Sequence, residues 1–366
     1  FTTFIVSLFV QRRLRDWLDA LAFSLSGLPA NRTAAAAMAY ILYDMHREGA
    51  ALDYPRGGLG SVVDALVKGV EQGPNRSRLH LRQKVRSIDT TPDGSRVIGL
   101  SLTSGKRIKT KDGVICNAPI WLLRELVPNE AARNILRGII HPNGKPSGAA
   151  TSADGRSDLL TKCDTAEMTR SFLHLHLALD ATGLDLNAME AHYTVMDQGL
   201  ANDPCGELNM IAVSNPCVID DTLAPPGYIV LHAYAAGNEP YHIWEGLSRS
   251  SKEYKQLKST RSQVLWRAVE SIIPDVRDRV VLDLLGSPIT HERFLTRPKG
   301  TYGVVTEDLL KDGSTPIHGL VLAGDGIFPG IGIPAVALSG ASAANGMVGV
   351  WKHWRKMDFL KDRNLM

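Results

Sequence analysis

The segment running from Gly319 to Val348, "GLVLAGDGIFPGIGIPAVALSGASAANGMV", restricts the fold more than any other part of the chain. An apolar run without alternation leads into "GDGIFPGIGIP", where four glycines and two prolines fall within eleven residues. An alanine-rich helical stretch follows. Apolar runs that do not alternate are typical of a parallel strand buried on both faces. A strand, a glycine turn and a helix together present backbone N–H groups to an anion. Gly324 leaves the main chain open to close approach. Asp325 stands at the carboxyl end of the strand, where open α/β sheets bind ligands. Pro334 fits the first helical turn, whose end carries partial positive charge. The same pattern also describes a glycine turn that merely packs helix on strand.

The rest of the chain reads as mixed α and β without an internal repeat. Leu14, Trp17, Leu18, Leu21 and Leu25 recur at helical spacing. A second helix, "TAAAAMAYILYDMH", follows Asn31, with Asn31 or Thr33 as the expected cap. "YPRGGLGS" reads as a turn opening a helix that carries Val62, Val63, Leu66 and Val70. Leu79, Leu81, Val85 and Ile88 alternate imperfectly, as in a strand. A hairpin is expected around Ser104-Gly105, an apolar strand at 114–116 and a short helix after Pro119. Residues 141–160 lack any period and read as a mobile loop. Strands are expected at 171–179, in "LNMIAVSN" and in "YIVLHAYAA". An amphipathic helix ends at Pro274, and "VVLDLLGSPITHERFL" returns to strand.

Composition narrows the function classes. The 366 residues suffice for two domains or one large split domain. Lys and Arg number 41 against 38 Asp and Glu, a net charge of +3 without a dense basic block, which argues against a dedicated nucleic-acid binder. Cys116, Cys163, Cys205 and Cys217 form no C-x-x-C pair, so a reducing compartment is expected. The opening "FTTFIVSLFV" has no basic segment ahead of it and no cleavage site; it reads as the middle of a longer chain rather than as a signal peptide. The glycosylation patterns at Asn31-Arg32-Thr33 and Asn75-Arg76-Ser77 are then chance matches. No G-x-S-x-G elbow, P-loop lysine or G-x-G-x-x-G fingerprint is present.

His174 and His176 lie two apart on a strand and face the same way. A metal pair is conceivable, but no third ligand has convincing spacing, so structural or pocket-lining histidines are expected and no metal site. The tail "VGVWKHWRKMDFL" mixes aromatic with basic residues, a composition suited to a membrane surface or to docking on the domain.

The segments "YPRGGLGSVVDALVKGVEQG", "VICNAP", "DDTLAPPGYIVLHAY", "WEGLS", "SPITHERFLTRPKGTYG" and "LVLAGDGIFPGIGIPAVALSGASAANGMV" stand in an order that resembles the carotenoid isomerases, within the phytoene-desaturase-like flavoenzymes. The resemblance covers roughly residues 14–350. It implies an α/β (mixed α+β) chain with an FAD/NAD(P)-binding, amine-oxidase-like fold and an interleaved substrate domain. The implied division is 1–50 and 121–314 for substrate, 51–120 and 315–350 for FAD, and 351–366 as a tail. It carries the cofactor role to Gly324 and Asp325 (ribityl and pyrophosphate), to Gly330, Gly332, Ile333, Pro334 and Ala335 (flavin ring), to Val85 (adenine), and to Gly57, Gly58 and Gly60 near cofactor and substrate. Glu292, Arg293 and Tyr302 are the candidate catalytic residues.

The activity implied is FAD-dependent cis-to-trans isomerisation of a poly-cis carotenoid without net redox change, the flavin being reduced in turnover. The alternatives are a carotenoid desaturase and a non-catalytic pigment-binding protein. A plastid location is implied, with peripheral membrane contact through residues 1–10 or the tail; apolar residues of 1–50 and 171–235 would line the polyene site. Two departures accompany the resemblance. Gly326 and Ile331 replace polar residues of the family motif. The first phosphate-binding unit of the family is absent from this sequence, so this stretch alone is expected to bind FAD poorly.

Overall fold

The computed structural model describes residues 12–50, 54–72, 77–140, 158–199 and 202–362. The "FTTFIVSLFV" segment, Asn75-Arg76 and residues 141–157 of the expected loop lie outside them. In chain order come helices α1 (Arg12–Ser26), α2 (Ala35–His46) and α3 (Leu59–Gln72), then strands β1 (Val85–Thr90), β2 (Val97–Leu102), β3 (Arg107–Lys109) and β4 (Val114–Cys116). Helices α4 (Leu123–Leu126), α5 (Glu130–Leu136) and α6 (Leu159–Thr165) precede strands β5 (Ser171–Asp180), β6 (His192–Met196), β7 (Met210–Ser214) and β8 (Tyr228–Glu239). There follow α7 (Lys252–Glu270), α8 (Val276–Arg279), β9 (Val280–Gly286), α9 (Pro288–Leu295), β10 (Leu320–Leu322), α10 (Ile333–Met347) and α11 (Val350–Lys361). Among the described residues no helix is long and apolar enough to cross a membrane.

The chain divides into two compact units, Phe1–Leu79 with Met168–Glu307 and His80–Glu167 with Asp308–Met366. Each unit is made of two separate stretches of the chain. The division assigns the glycine turn and α3 to the first unit and residues 121–167 to the second, each on the other side of the boundary that the resemblance implied.

The first unit is built on a five-stranded antiparallel sheet in the order β6-β7-β8-β5-β9. Its central strand, "SFLHLHLALD", alternates strictly, so Leu173, Leu175, Leu177 and Leu179 share one face and are buried. They meet Ile211, Ile229, Leu231 and the buried side of α7, Val264, Leu265, Ala268 and Val269. The serine before α7 caps it: the Tyr254 amide donates to Ser251 Oγ at 3.1 Å. Trp244 is fully buried in the same core, and its Nε1 donates to Glu239 Oε1 at 2.8 Å. Arg261 donates to both Glu239 oxygens, at 3.0 and 2.7 Å, so the buried carboxylate is paired. Phe23 and Ala20 of α1 pack on Met210.

Three local expectations are corrected. Neither Asn31 nor Thr33 caps α2. The Thr33 hydroxyl donates to the Leu28 and Pro29 carbonyls, while the Ala34 amide at the start of α2 donates to Thr306 Oγ1 at 2.8 Å. The strand around Val85 begins only there, and Leu79 and Leu81 are exposed. "VVLDLLGSPITHERFL" is half strand and half helix: Ser287 and Thr290 form a capping box and Pro288 occupies the first turn, which stops β9 at Gly286.

The second unit holds a three-stranded antiparallel sheet, β1-β2-β3, with the expected turn at Ser104-Gly105. Beside it in the chain, β4 and β10 pair in parallel, Leu320 with Val114 and Leu322 with Cys116. The apolar run is a parallel strand, as expected; Leu320 and Leu322 are buried and Val321 is half-buried. The short helices α4 to α6 bury Leu123, Ile135, Leu136, Leu160 and Cys163, and Arg124 forms an ion pair with Asp164.

Candidate functional site

The glycine segment of the second unit shows why side chains are excluded from it. β10 ends beside β4, where the Ala323 amide donates to the Cys116 carbonyl at 2.9 Å. The chain then turns through Gly324, whose amide donates to Ser339 Oγ of α10 at 3.0 Å. A Cβ on Gly324 would lie 2.6 Å from Asn117 Oδ1, one on Gly326 would lie 2.6 Å from Ile120 Cγ2, and one on Gly330 would lie 2.9 Å from Leu309 Cδ1. These glycines are required by the protein's own packing. The Phe328 amide and the Leu310 amide tie the turn to residue 310 and to Gly326, at 2.7 and 3.0 Å.

Gly332 differs. Its φ is +109°, which disfavours any side chain, yet nothing lies within 4 Å of an added Cβ. It caps α10, with Pro334 in the first turn, and Gly332, Ile333 and Pro334 are exposed. The helix N-terminus carries partial positive charge, and its backbone is open at Gly332. Asp325 is half-buried at the strand end, and Ala335 is buried beneath the helix. Val85 opens β1 in the same unit, opposite Leu102.

Gly57, Gly58 and Gly60 belong to the first unit. Gly57 and Gly58 both have positive φ, and the Gly57 amide donates to Asp220 Oδ2 at 2.7 Å. The Ser61 hydroxyl donates to the Gly58 carbonyl at 2.7 Å and tightens the turn into α3. Gly60 has open space where a side chain would stand.

The other face of the five-stranded sheet carries a second feature, and the sequence reading missed most of it. Strand register puts His192, Ser214, His232, His176 and Leu284 side by side on one rung. The next rung brings Tyr234 against His174, with Gly286 on its far side. His176 and His232 stack at 4.1 Å with planes 4° apart, and His232 stacks on Tyr234 at 4.6 Å. His174 Nδ1 and His232 Nε2 share a hydrogen bond of 2.7 Å. From α9, His291 stacks on His174 at 4.7 Å and on Phe172 at 5.3 Å.

Burial keeps these imidazoles neutral. It pushes His174 well below the usual range, with further lowering from His232, His291 and His176. Burial and the neighbouring His176 and His291 hold His232 at about 3. His176 is lowered by burial, and His291 by burial and then by Arg297. The face is thus a continuous, uncharged surface of stacked rings, able to donate and accept single hydrogen bonds and to stack on a planar π system. The findable signal was parity: in "YIVLHAYAA", His232 and Tyr234 occupy the parity opposite to Leu231, as His174 and His176 do against Leu175.

Of the catalytic candidates, Tyr302 joins this face, edge-on to Phe172 at 4.6 Å. Its ring also fills the space left by Gly27 and Gly237. Glu292 lies on α9 next to His291, but its carboxylate accepts from the Tyr241 phenol at 2.8 Å and from the Lys299 amide at 3.3 Å. That bond and burial raise Tyr241 to about 12, with burial the larger cause. Arg293 is exposed, with its guanidinium over the ring of Phe294 at 5.0 Å, and does not join the ring face.

Residues 6–146 match the family of flavin containing amine oxidoreductases. Prolycopene isomerase 2, chloroplastic, of an Oncidium hybrid cultivar is 31% identical over 91% of this chain and 52% of its own length. The Arabidopsis thaliana prolycopene isomerase, chloroplastic, is 29% identical over 94% of this chain and 54% of its own length. The chain therefore spans about half the length of the curated relatives it matches. A crystal structure of an oxidoreductase from Methanosarcina mazei superposes with a TM-score of 0.57 at 17% identity, covering 94% of this chain and 67% of that one, a likeness of fold. The mixed α/β, amine-oxidase-like fold expected from the sequence is the one observed.

Proposed function

We propose that this chain, a relative of the carotenoid isomerases and phytoene-desaturase-like oxidoreductases, serves the cis-to-trans isomerisation of a poly-cis carotenoid with FAD as cofactor. The observation that carries the reading is the ring-lined face of β5 and β8, a flat platform of stacked neutral rings of a kind that suits a long conjugated chain. Phe172, Tyr234 and the imidazole rings stack on the polyene, while the exposed Leu282 and Leu284 on neighbouring β9 continue the apolar surface. Stacking against flat rings orients the conjugated bonds and excludes water from them. The imidazoles remain neutral at physiological pH, so no imidazolium charge faces the hydrocarbon.

In the second unit, Gly324, Asp325, Gly330, Gly332, Ile333, Pro334 and Ala335 would hold the flavin portion of FAD, with Val85 toward the adenine. Gly57, Gly58 and Gly60, with Glu292, Arg293 and Tyr302, are proposed contributors to cofactor or substrate contact. When bound, FAD supplies reversible electron exchange, which lowers the order of a double bond enough for rotation. The chloroplastic relatives support a plastid location. Peripheral membrane contact is assigned to α11, where Trp351 and Trp354 are 75% and 56% exposed beside Lys352, Arg355 and Lys356.

Anaerobic incubation of the protein with FAD, a reductant and poly-cis lycopene, followed by chromatography and mass spectrometry, tests the reading. A product of unchanged mass and all-trans retention is expected. Loss of two hydrogens per step in a parallel incubation with oxidised FAD and a quinone acceptor would make the chain a desaturase. Retention of pigment without conversion would make it a binding protein.

A further inference from the structure

Three imidazoles on two adjacent strands converge at the centre of the ring face. A ring nitrogen from each of His174, His176 and His232 lies within 4.8 Å of those from the other two. Two of the side chains are two residues apart on β5, and the third stands directly across the ladder on β8, opposite His176. Both backbones are locked into the interior of a five-stranded sheet, so the positions are fixed before any ligand arrives.

The hydrogen bonding within the trio is incomplete. His174 uses Nδ1 in its bond to His232, and its Nε2 is buried without a hydrogen-bond partner. That atom lies outside the pair of nitrogens that face each other. His176 is exposed, which leaves the trio open to solvent on one side. Imidazole nitrogens are the commonest side-chain ligands of transition-metal ions.

We propose that His174, His176 and His232 bind a first-row divalent transition-metal ion, Zn2+ in the first instance, through three imidazole nitrogens with a further coordination position open to solvent or substrate. Imidazole donors select zinc, copper, nickel and iron over magnesium and calcium. Three histidines with an open fourth position are the arrangement of reactive zinc sites rather than of closed structural ones. With Zn–N bonds of about 2.0–2.1 Å, tetrahedral nitrogens stand about 3.3 Å apart. The 2.7 Å pair therefore opens by roughly half an ångström and the third nitrogen closes in, changes within the reach of side-chain torsions. The proton shared by His174 and His232 moves to the outer nitrogen of one of the two rings, so the trio stays neutral. The site does not depend on the flavin or on the proposed reaction.

Untagged protein, stripped with a chelator and returned to neutral buffer, is titrated with ZnCl2 by calorimetry and with CoCl2 by visible absorption. One ion per chain is expected, with the intense d–d bands of a four-coordinate nitrogen site and no thiolate charge-transfer band. His176→Ala, which alters an exposed residue, and His232→Gln are expected to weaken binding by more than about tenfold. His291→Ala, which removes a ring stacked on His174 but outside the trio, keeps the stoichiometry. Far-UV circular dichroism verifies that each variant is folded. Wild-type affinity in His176→Ala, or loss of the ion only when Cys205 is changed to Ser, overturns the site.

Discussion

The two faces of the five-stranded sheet are made by the same strands, yet they obey different physics. On one face Leu173, Leu175, Leu177 and Leu179 interlock with α7 in a dry aliphatic core. On the other, Phe172, His174 and His176 stack with His232 and Tyr234, and Gly286 leaves room beside His174. The first face gains its stability from area removed from water and from close packing. The second buries polarisable rings whose nitrogen atoms are only partly satisfied. A sheet that needed only stability would not place three imidazoles where valine or isoleucine would serve. The contrast separates what holds the unit together from what it presents.

The sharpest way to break this comparison is to truncate one residue on each face. Leu177→Ala opens a cavity in a packed core and is expected to cost about 2–5 kcal/mol. Phe172→Ala removes ring contacts from the opposite face and is expected to cost about 1 kcal/mol. Chemical denaturation measures both, and pigment retention should show the reverse order, with Phe172→Ala the more damaging. Equal losses of stability would mean that the ring face is part of the core.

Much of the contrast was legible in the alternating letters of "SFLHLHLALD", which fix a strand and set histidine against leucine. His232 was not legible. It lies 56 positions beyond His176, and only the antiparallel register of β5 and β8 puts them on one rung. Register is a tertiary property, set by hydrophobic pattern and turns together. The strand–turn–helix around Gly324 was equally readable, because glycine and proline act locally. What was hidden there is which glycines serve packing: the neighbours Asn117, Ile120 and Leu309 are distant in sequence. The helix α9 was misread for a related reason, since the apolar letters run on past Gly286 while the Ser287 cap and Pro288 redirect the backbone.

A second, smaller difference between the faces is their response to acid. His232 is held at about 3, against a usual 6.5, by burial and by His176 and His291. Between those values the unfolded chain binds a proton that the folded chain refuses. Stability from this group is therefore undiminished above pH 6.5 and falls as the pH drops toward 3. Melting curves of chelator-treated protein should show a shallower acid slope in His232→Gln than in wild type. Leu177→Ala should shift the whole curve down without changing that slope. A wild-type slope in His232→Gln would show that carboxylates elsewhere govern the acid limb.

The smallest expected effect lies in the glycine turn, where two positions play the roles that the two sheet faces play above. A methyl group on Gly326 meets Ile120 Cγ2 at 2.6 Å, so Gly326→Ala must displace a packed side chain, at about 1–3 kcal/mol. A methyl group on Gly332 meets nothing, and Gly332→Ala is opposed by its φ of +109° alone, at about 1 kcal/mol. If the exposed start of α10 serves a flavin, the order reverses in a titration with FAD followed by flavin fluorescence: Gly332→Ala should weaken uptake more than Gly326→Ala, despite being the milder change in stability. Uptake that tracks stability across the two variants would reduce the motif to a turn packing a helix on a strand. Uptake that fails in Gly332→Ala while the fold persists would separate the glycine kept for a ligand from those kept for the protein itself.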